Sequence, residues 1–190
     1  MTAERLQQAA LIRFAEQGYN ATTMNEIASD VGIKKASIYA HFRNKDELFL
    51  SLLPMMVERE FECVKSIIVG KSIREELYQY LAGISDRFES SHQVQFWLRI
   101  LFAPPIHLYD EVVLPMHQFM LEMESYIFDQ VEKSAFGVRK DGLSAEVITA
   151  NYMGLIDSLH TELLFAGKER FERRLAVMWE VFDRAISLER

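Results

Sequence analysis

Two capping-box patterns near the start of this chain fix where short helices begin. In Thr23-Met24-Asn25-Glu26, and again in Asn44-Lys45-Asp46-Glu47, a residue that caps helix N-termini precedes a glutamate by three positions. Gly32 lies between the two patterns and is predicted to end the first helix, because glycine readily adopts the left-handed conformation found at helix C-termini. The space left before the second pattern admits one more short helix, predicted over Lys35 to Phe42.

A longer helix is predicted ahead of this pair. Leu6, Ala10 and Phe14 recur at four-residue intervals within Glu4 to Gln17, and Gly18 is placed to end that helix. Two short helices joined by a glycine-containing turn and supported by a third are typical of a helix-turn-helix. Four apolar side chains are predicted to pack between the two short helices: Ile27, Val31, Ile38 and Phe42.

The net charge of −7 is unevenly distributed along the chain. The first 50 residues hold six basic and six acidic side chains, so the whole excess of acid belongs to the remainder. Between Asp30 and Asp46 there are four basic residues and no acidic one. Such a patch is a candidate for binding nucleic-acid phosphates, although a solvated helix face explains the charge alone equally well.

Candidate DNA contacts lie on the face of the second short helix that is opposite its packed side chains, and at nearby helix N-termini. A helix that enters a major groove needs small residues for close approach and donors for base edges and phosphates. Helix N-termini also favour a phosphate through their free N–H groups. The residues that meet these needs are Ala36, Ser37 and Ala40 as small residues, Lys34, Lys35, Tyr39 and His41 as donors, and Thr23 and Lys45 at helix N-termini.

The stretch from Thr22 to Leu48 resembles the DNA-binding domain of TetR-family transcriptional regulators. The most diagnostic part is Ile-Tyr-x-His-Phe at residues 38–42, followed by Asn-Lys-x-x-Leu at residues 44–48. The resemblance covers about a quarter of the chain. It implies an all-helical homodimer with a ligand-binding C-terminal domain, and usually repression of transcription that a small molecule relieves.

The resemblance also implies roles for individual residues. Phosphate contacts are implied for Thr23, Tyr39, His41 and Lys45, and base contacts for Met24, Lys35, Ala36, Ser37 and Ala40. Met24 stands where some members have a basic side chain, and Ala40 where some have a larger one. Direct readout is therefore expected to depend on Lys35 and Ser37, with Ala40 limited to a thymine methyl group. Lys34 is expected to contact either a base or a phosphate.

The fold class predicted for the whole chain is all-α, since glycine (8) and proline (4) are scarce and helical periodicity continues to the end. A helix-turn-helix DNA-binding domain is assigned to residues 1–46, and a larger helical ligand-binding and dimerisation domain to residues 47–190. One helix is expected from Asp46 past Lys65, kinked or tolerated at Pro54, as a mechanical link between the domains. Another is expected to open at Ser72 with Glu75 in its first turn. A loop is expected at Gly137 to Gly142.

A pocket for an apolar or aromatic small molecule is expected in the larger domain. The chain has nine methionines and thirteen phenylalanines, residues that build adaptable apolar cavities, although an ordinary core explains any one of them. The candidate ligand-binding residues are Trp97, Arg99, His117, Phe119, Met120, Met123, Tyr126, Asn151, Tyr152 and His160.

The last two helices are interpreted as a dimer interface, with packing inside one subunit as the alternative. Their apolar bands are wide, and a stripe of mostly small residues would allow close approach of a second copy in a four-helix bundle. The candidate interface residues are Ala150, Gly154, Ser158, Thr161, Phe171, Leu175, Met178 and Phe182.

Catalysis, a metal and a cofactor are not expected. The sequence has no glycine-rich phosphate loop, no Gly-x-Ser-x-Gly and no His-Glu-x-x-His, and Asp157 with His160 is an isolated pair. No apolar run is long enough to span a membrane, no secretion signal is recognised, and the single Cys63 fits a cytoplasmic location. The alternative function is a helical ligand-binding or carrier module that does not bind DNA specifically, and a helical-bundle enzyme is a lesser one.

Overall fold

The computed structural model describes residues 2–134 and 143–187, and every regular element in these ranges is a helix. The predicted all-α fold, with an N-terminal helix-turn-helix followed by a larger helical region, is confirmed. The expected loop at Gly137 to Gly142 lies outside the described residues. The helices are α1 (Thr2–Ala21), α2 (Met24–Val31), α3 (Lys35–Ile38), α4 (Lys45–Leu50), α5 (Leu53–Ile67), α6 (Ile73–Ser90), α7 (His92–Phe102), a 3-10 turn (Ile106–Leu108), α8 (Tyr109–Lys133), α9 (Ala145–Ala166) and α10 (Lys168–Ser187).

The described chain forms two compact units, one of residues 1–60 and 88–118 and the other of residues 61–87 and 119–190. The first unit therefore contains the helix-turn-helix and also α7, a helix far along the sequence. Its core includes three aromatic rings, Phe14 on α1, Phe49 on α4 and Phe96 on α7. The centroid of Phe49 lies 5.1 Å from that of Phe14 and 5.2 Å from that of Phe96.

Helix α1 is interrupted at Gly18, as the sequence predicts. Gly18 has φ 81° and ψ 173°, a conformation that is accessible to glycine and strained for other residues. The kink leaves the last carbonyl groups of the main helical segment without their usual i+4 donors. Those carbonyls therefore need donors from side chains elsewhere in the chain or from water.

The expected single helix from Asp46 past Lys65 is wrong, because α4 ends at Leu50 and α5 begins at Leu53. Pro54 has no N–H to donate to the carbonyl of Leu50, so a continuous helix would lose that hydrogen bond. At the second position of α5 the same proline leaves no partner unsatisfied, since the first turn of a helix has no intrahelical acceptors for its N–H groups.

Helix α3 is shorter than predicted, ending at Ile38 instead of Phe42. The N–H groups of Ala40 and His41 donate to the carbonyls three residues earlier, so the predicted last turn is tightened into non-α geometry. Phe42 is nevertheless buried, as its spacing from Ile38 predicts.

The second unit contains α9 packed against α10, together with parts of α6 and α8. Tyr152 of α9 is completely buried, and its hydroxyl donates to the carbonyl of Leu77 on α6 at 2.8 Å. Its ring also packs on Phe182 of α10, with centroids 5.9 Å apart. Among the helices described, none has the length and apolar character needed to cross a membrane.

The start of α6 is held by Glu76 and not by the expected pair of Ser72 and Glu75. Glu76 is 7% exposed, and its carboxylate accepts hydrogen bonds from the backbone N–H groups of Val69, Gly70, Lys71 and Ser72 at 2.7–3.1 Å. Burial alone raises the pKa of a carboxyl group, but the four hydrogen bonds outweigh it and lower the pKa of Glu76 below its ordinary value. A single charged side chain thus organises the connection between α5 and α6.

Candidate nucleic-acid interface

Helix α2 has the local structure that its sequence predicts. The Thr23 hydroxyl accepts from the N–H of Glu26, and the Glu26 carboxylate accepts from the N–H of Thr23 at 2.9 Å, which completes the capping box. At the other end Gly32 adopts φ 75° and ψ 29°, and the N–H of Ile33 donates to the carbonyl of Ala28 at 3.0 Å. These local bonds fix the turn that leads into α3.

Helix α3 and the turn after it form an exposed surface. Ile38 faces the core with no exposed area, whereas Tyr39 is 46% exposed. Eight of the predicted DNA-contact residues are exposed to solvent: Thr23, Lys34, Lys35, Ala36, Ser37, Tyr39, Ala40 and His41. The small residues and the donors predicted for a major-groove helix therefore lie on one accessible stretch.

The remaining two predicted contacts are placed differently. Met24 is only 7% exposed and belongs to the core of the first unit, so its side chain is not presented for a base contact. Lys45 is half-buried, and its ammonium donates to the carbonyls of Tyr19 and Thr22 at 2.8 and 3.0 Å. It also lies 4.0 Å from the centroid of the Tyr19 ring. Lys45 therefore closes the end of α1, a role that its position in a capping pattern does not reveal.

Replacing Lys45 by methionine is expected to lower the free energy of unfolding by about 1–2 kcal/mol, since two carbonyls lose a charged donor and an aromatic ring loses its cation. Chemical denaturation measures the change. Lys34→Met is the matched control, because Lys34 is exposed and its side chain makes no hydrogen bond or ion pair within the described residues. Equal stability of the two variants would show that the Lys45 contacts are not stabilising.

Contacts within the fold reduce the number of free positive charges in the basic patch between Asp30 and Asp46. Arg43 binds the carboxylate of Glu47 at 3.1 Å, and Lys45 is committed to α1. The hydrogen bonds from Arg43, through its backbone first, lower the pKa of Glu47. Lys34 and Lys35 are the bases of this patch that make no ion pair within the described residues. Unpaired positive charge is thus concentrated at the N-terminus of α3.

Contacts between α1 and α2, which the sequence did not reveal, support the exposed α3 surface. Arg13 of α1 binds Asp30 of α2, with one bond at 2.8 Å, and Glu26 at 3.2 Å. Arg5 donates to the carbonyl of Val31 at 3.0 Å. These partners are separated by 13 to 26 residues along the chain and follow no short motif. No local sequence signal could have found them.

The predicted ligand-binding residues do not all lie in one unit. Trp97, Arg99 and His117 belong to the first unit, and the other seven belong to the second. Arg99 donates to backbone carbonyls of α1. In the second unit Phe119, Met123 and Tyr152 are buried, Met120, Tyr126 and His160 are half-buried, and Asn151 is exposed. Desolvation, followed by the charge of Arg87, lowers the pKa of His160 to about 4. His160 is therefore neutral near pH 7.

The predicted dimer residues divide into an exposed set and a buried set. Ala150, Gly154 and Thr161 are exposed, and Ser158 and Met178 are half-buried. By contrast, Phe171, Leu175 and Phe182 are 1%, 7% and 6% exposed and pack inside their own subunit. These three side chains are part of the core of the second unit and present little surface to a second copy, and their place in a dimer interface stays a prediction.

Apolar side chains that the prediction omitted are exposed on α9 and α10. Val147 is 42%, Val177 59% and Val181 68% exposed. They line a groove of about 480 Å³ whose other walls include Ile148, Leu155 and Phe182. Within the described residues, no group of three or more His, Cys, Asp or Glu side chains is arranged to hold a metal ion.

The fold and the exposed α3 surface define the class of protein: an all-helical chain with an N-terminal helix-turn-helix. Residues 6–52 match the family model for bacterial regulatory proteins of the tetR family. The helix-turn-helix of this chain therefore matches the DNA-binding domain of the TetR family of bacterial regulatory proteins.

Relatives agree with this assignment. An uncharacterized HTH-type transcriptional regulator, YerO of Bacillus subtilis, is 26% identical over 177 residues, which are 87% of this chain and 57% of YerO. The biofilm operon icaADBC negative transcriptional regulator IcaR of Staphylococcus epidermidis is 48% identical over 40 residues, 21% of this chain and 22% of IcaR. The chain thus spans just over half of the first relative and a smaller part of the second.

Solved structures share the whole fold. FadR of Bacillus subtilis, solved in complex with stearoyl-CoA, has a TM-score of 0.67 at 18% identity, with 97% of each chain covered. NalD of Pseudomonas aeruginosa, described as the secondary repressor of the MexAB-OprM multidrug efflux pump, has a TM-score of 0.65 at 20% identity, with 94% of each chain covered. At these identities the likeness concerns the fold alone.

Proposed function

We propose that the chain is a DNA-binding transcriptional regulator, a repressor that leaves its operator when a small molecule binds. The observation that carries the proposal is the exposed stretch from Lys34 to His41, which presents unpaired lysines and small side chains at the recognition position of a helix-turn-helix. The proposal is supported by IcaR, whose name describes a negative regulator. The chain has no catalytic role in this proposal and acts in the cytoplasm, where operator DNA is found.

In the proposed complex, α3 lies in the major groove. Lys35 and Ser37 donate to base edges, and Ala36 and Ala40 allow close approach and contact thymine methyl groups. The phosphates are held by Thr23, Lys34, Tyr39 and His41, which surround α3 and are exposed. The acidic remainder of the chain is repelled by DNA, so this surface is the one that docks.

Binding to the DNA upstream of the chain's own gene, measured by fluorescence anisotropy over a salt series, tests the proposal. We expect specific binding whose log–log salt dependence has a slope of about −0.9 for each phosphate neutralised. Binding that is absent or independent of salt for every duplex would contradict the proposal and favour the alternative, a helical ligand-binding or carrier module.

Lys35→Ala is expected to weaken operator binding by about tenfold and to relax the preference at one or two base pairs, because a base-edge donor contributes about 1–3 kcal/mol of discrimination. Selection from randomised operators reveals the relaxed positions. Lys71→Ala removes the same charge from an exposed residue between α5 and α6 and is the matched control. If both variants retain the selectivity of the unmodified protein, Lys35 does not read a base.

The proposed regulator is a homodimer assembled through α9 and α10. The exposed Val147, Val177 and Val181, and the groove beside them, form an apolar surface of the kind that marks protein interfaces. The small exposed residues Ala150 and Gly154 permit close approach on the same helix. A two-fold axis would present two α3 helices to successive major grooves, about 34–36 Å apart.

The proposed effector is an apolar or aromatic small molecule that binds in the second unit. The candidate residues there are Phe119, Met120, Met123, Tyr126, Asn151, Tyr152 and His160. The hydroxyls of Ser85 and Thr149 are buried in the same unit without a hydrogen-bond partner within the described residues, and they are available to a polar group of the effector. The effector and the operator must weaken each other's binding by the same factor.

A further inference from the structure

Helix α7 packs against α1 in the first unit, although 70 residues separate the two helices in the sequence. Phe96 of α7 completes the aromatic core with Phe14 and Phe49. At the N-terminus of α7, His92 lies 3.3 Å from the carboxylate of Glu16 on α1. The contact between α7 and α1 is therefore both apolar and polar, and α7 is part of the unit that contains the helix-turn-helix.

Arg99 is the polar centre of this contact. Its Nε donates to the carbonyl of Ala15 at 3.1 Å, and its Nη2 donates to the carbonyl of Glu16 at 3.3 Å. These carbonyls belong to the last turn of α1 before the kink at Gly18, where intrahelical donors are missing. A guanidinium at a helix C-terminus also interacts favourably with the helix dipole. Arg99 thus caps α1 from another part of the chain.

The 3-10 turn after α7 makes a second contact with the same region. His107 Nε2 lies 3.2 Å from Oδ1 of Asp46, in the first turn of α4, and the same carboxylate accepts a hydrogen bond from the Tyr19 hydroxyl. The rings of Tyr19 and His107 are 5.2 Å apart. Since Lys45 holds the carbonyls of Tyr19 and Thr22, the end of α1 is fixed by α4 on one side and by the α7 segment on the other.

We propose that Arg99 and His107 are positioning residues for DNA recognition. This inference rests on the proposed function. Arg99 fixes the end of α1, α1 supports α2 through the ion pairs of Arg13, and α2 packs on α3. The two residues therefore set the orientation of α3 without touching DNA. They lie in a segment that the sequence assigns to the ligand-binding domain.

Two DNA affinities, for the operator and for an unrelated duplex, distinguish loss of a positioning residue from loss of folded protein. Non-specific DNA binding depends on the number of phosphates neutralised, whereas specific binding requires α3 in the correct orientation for base edges. Removing a positioning residue should therefore lower the affinity for the operator and leave the affinity for an unrelated duplex unchanged. Partial unfolding reduces the active fraction and lowers both affinities together.

The test compares the ratio of operator affinity to unrelated-duplex affinity in three arginine variants. We expect Arg99→Met to reduce this ratio by about tenfold, within the range of known coupling between sites, and Arg99→Lys to recover part of it because one donor remains. Arg59→Met is the matched control, since Arg59 is exposed and donates to Gln93 of α7 at 3.0 Å without contacting α1. The ratio should be unchanged in this control.

His107→Ala provides a second variant, at an exposed site where truncation leaves no cavity in the core. It should lower the same ratio, by less than Arg99→Met. A ratio that stays at the unmodified value in both Arg99→Met and His107→Ala, or a parallel loss of both affinities, would overturn the positioning role. If the unmodified protein shows no specific binding, the proposed function itself fails. This failure is distinguishable from a failure of the positioning role, because it is seen in the unmodified protein before any variant is made.

Discussion

Replacing Glu76 by glutamine is expected to lower the free energy of unfolding by about 3 kcal/mol, the largest stability effect of a single substitution proposed for this chain. Four backbone N–H groups converge on a buried carboxylate, and each is a charge-assisted hydrogen bond. Glutamine has one acceptor oxygen and would turn an NH2 donor towards N–H groups that need an acceptor. For a chain of this length the thermal midpoint should fall by about 6–12 °C.

Glu75→Gln is the matched control, because Glu75 is the exposed neighbour in the same turn of α6. It should change stability by less than about 0.5 kcal/mol. If the two variants unfold at the same temperature, the carboxylate of Glu76 is not what holds the connection between α5 and α6.

The pH dependence of stability gives an independent check on Glu76. Because the folded protein lowers the pKa of this group, its contribution is fully present above the unfolded pKa of about 4.3 and is lost as the pH falls through the lower, folded value. The difference in stability between the unmodified protein and Glu76→Gln should therefore be constant near neutral pH and shrink below about pH 4.3. A difference that grows as the pH falls would contradict the assignment.

Val181→Glu is expected to give a folded monomer and to weaken operator binding by about 100-fold, because a monomer engages one half-site and loses the gain from linking two. Val181 is 68% exposed, so the glutamate is accommodated in the isolated subunit, whereas burying its charge in a second copy is costly. Sedimentation equilibrium should give the subunit mass of 22.1 kDa. Circular dichroism should show an unchanged helical content.

Leu121→Glu on α8 is the control for this substitution, since Leu121 is 48% exposed and does not line the groove between α9 and α10. It should leave the dimer intact. A dimer that survives Val181→Glu would place the interface elsewhere. Phe182→Glu would be a poor test, because Phe182 is buried against Tyr152 and Trp179 of its own chain and the change would damage the core.

The sequence predicts this protein best where structure is local. The capping box of Thr23 and Glu26, the glycine turns at Gly18 and Gly32 and the burial of Ile38 and Phe42 each depend on residues within one or two helical turns. The same local pattern places most of the candidate DNA surface, because side chains opposite a packed face of a short helix are exposed. The same region shows the family resemblance, which the family-model match over residues 6–52 confirms.

Predictions about individual side chains were less successful where several positions share one chemical character. Lys45 and Lys35 are both lysines of one basic patch, yet one closes α1 and the other is exposed. Val181 and Phe182 are adjacent apolar residues of α10, yet only the first faces solvent. The amino-acid type specifies which contacts a side chain can make. Whether the side chain makes them or stays exposed depends on neighbours that are distant in sequence.

The sequence by itself determined that the described part of the chain is all-helical, where α2, α3 and α4 begin, and which short helix carries the candidate DNA surface. These features follow from hydrogen bonds and apolar spacing within a few residues. Only the tertiary structure decided that Arg99 caps α1, that Lys45 is occupied within the fold and that Glu76 organises the start of α6. Arg99 and Lys45 bind carbonyl groups that are 23 to 84 residues away and that folding brings close. The N–H groups bound by Glu76 are only four to seven residues away, but no side-chain pattern in the sequence predicts that they converge on its carboxylate.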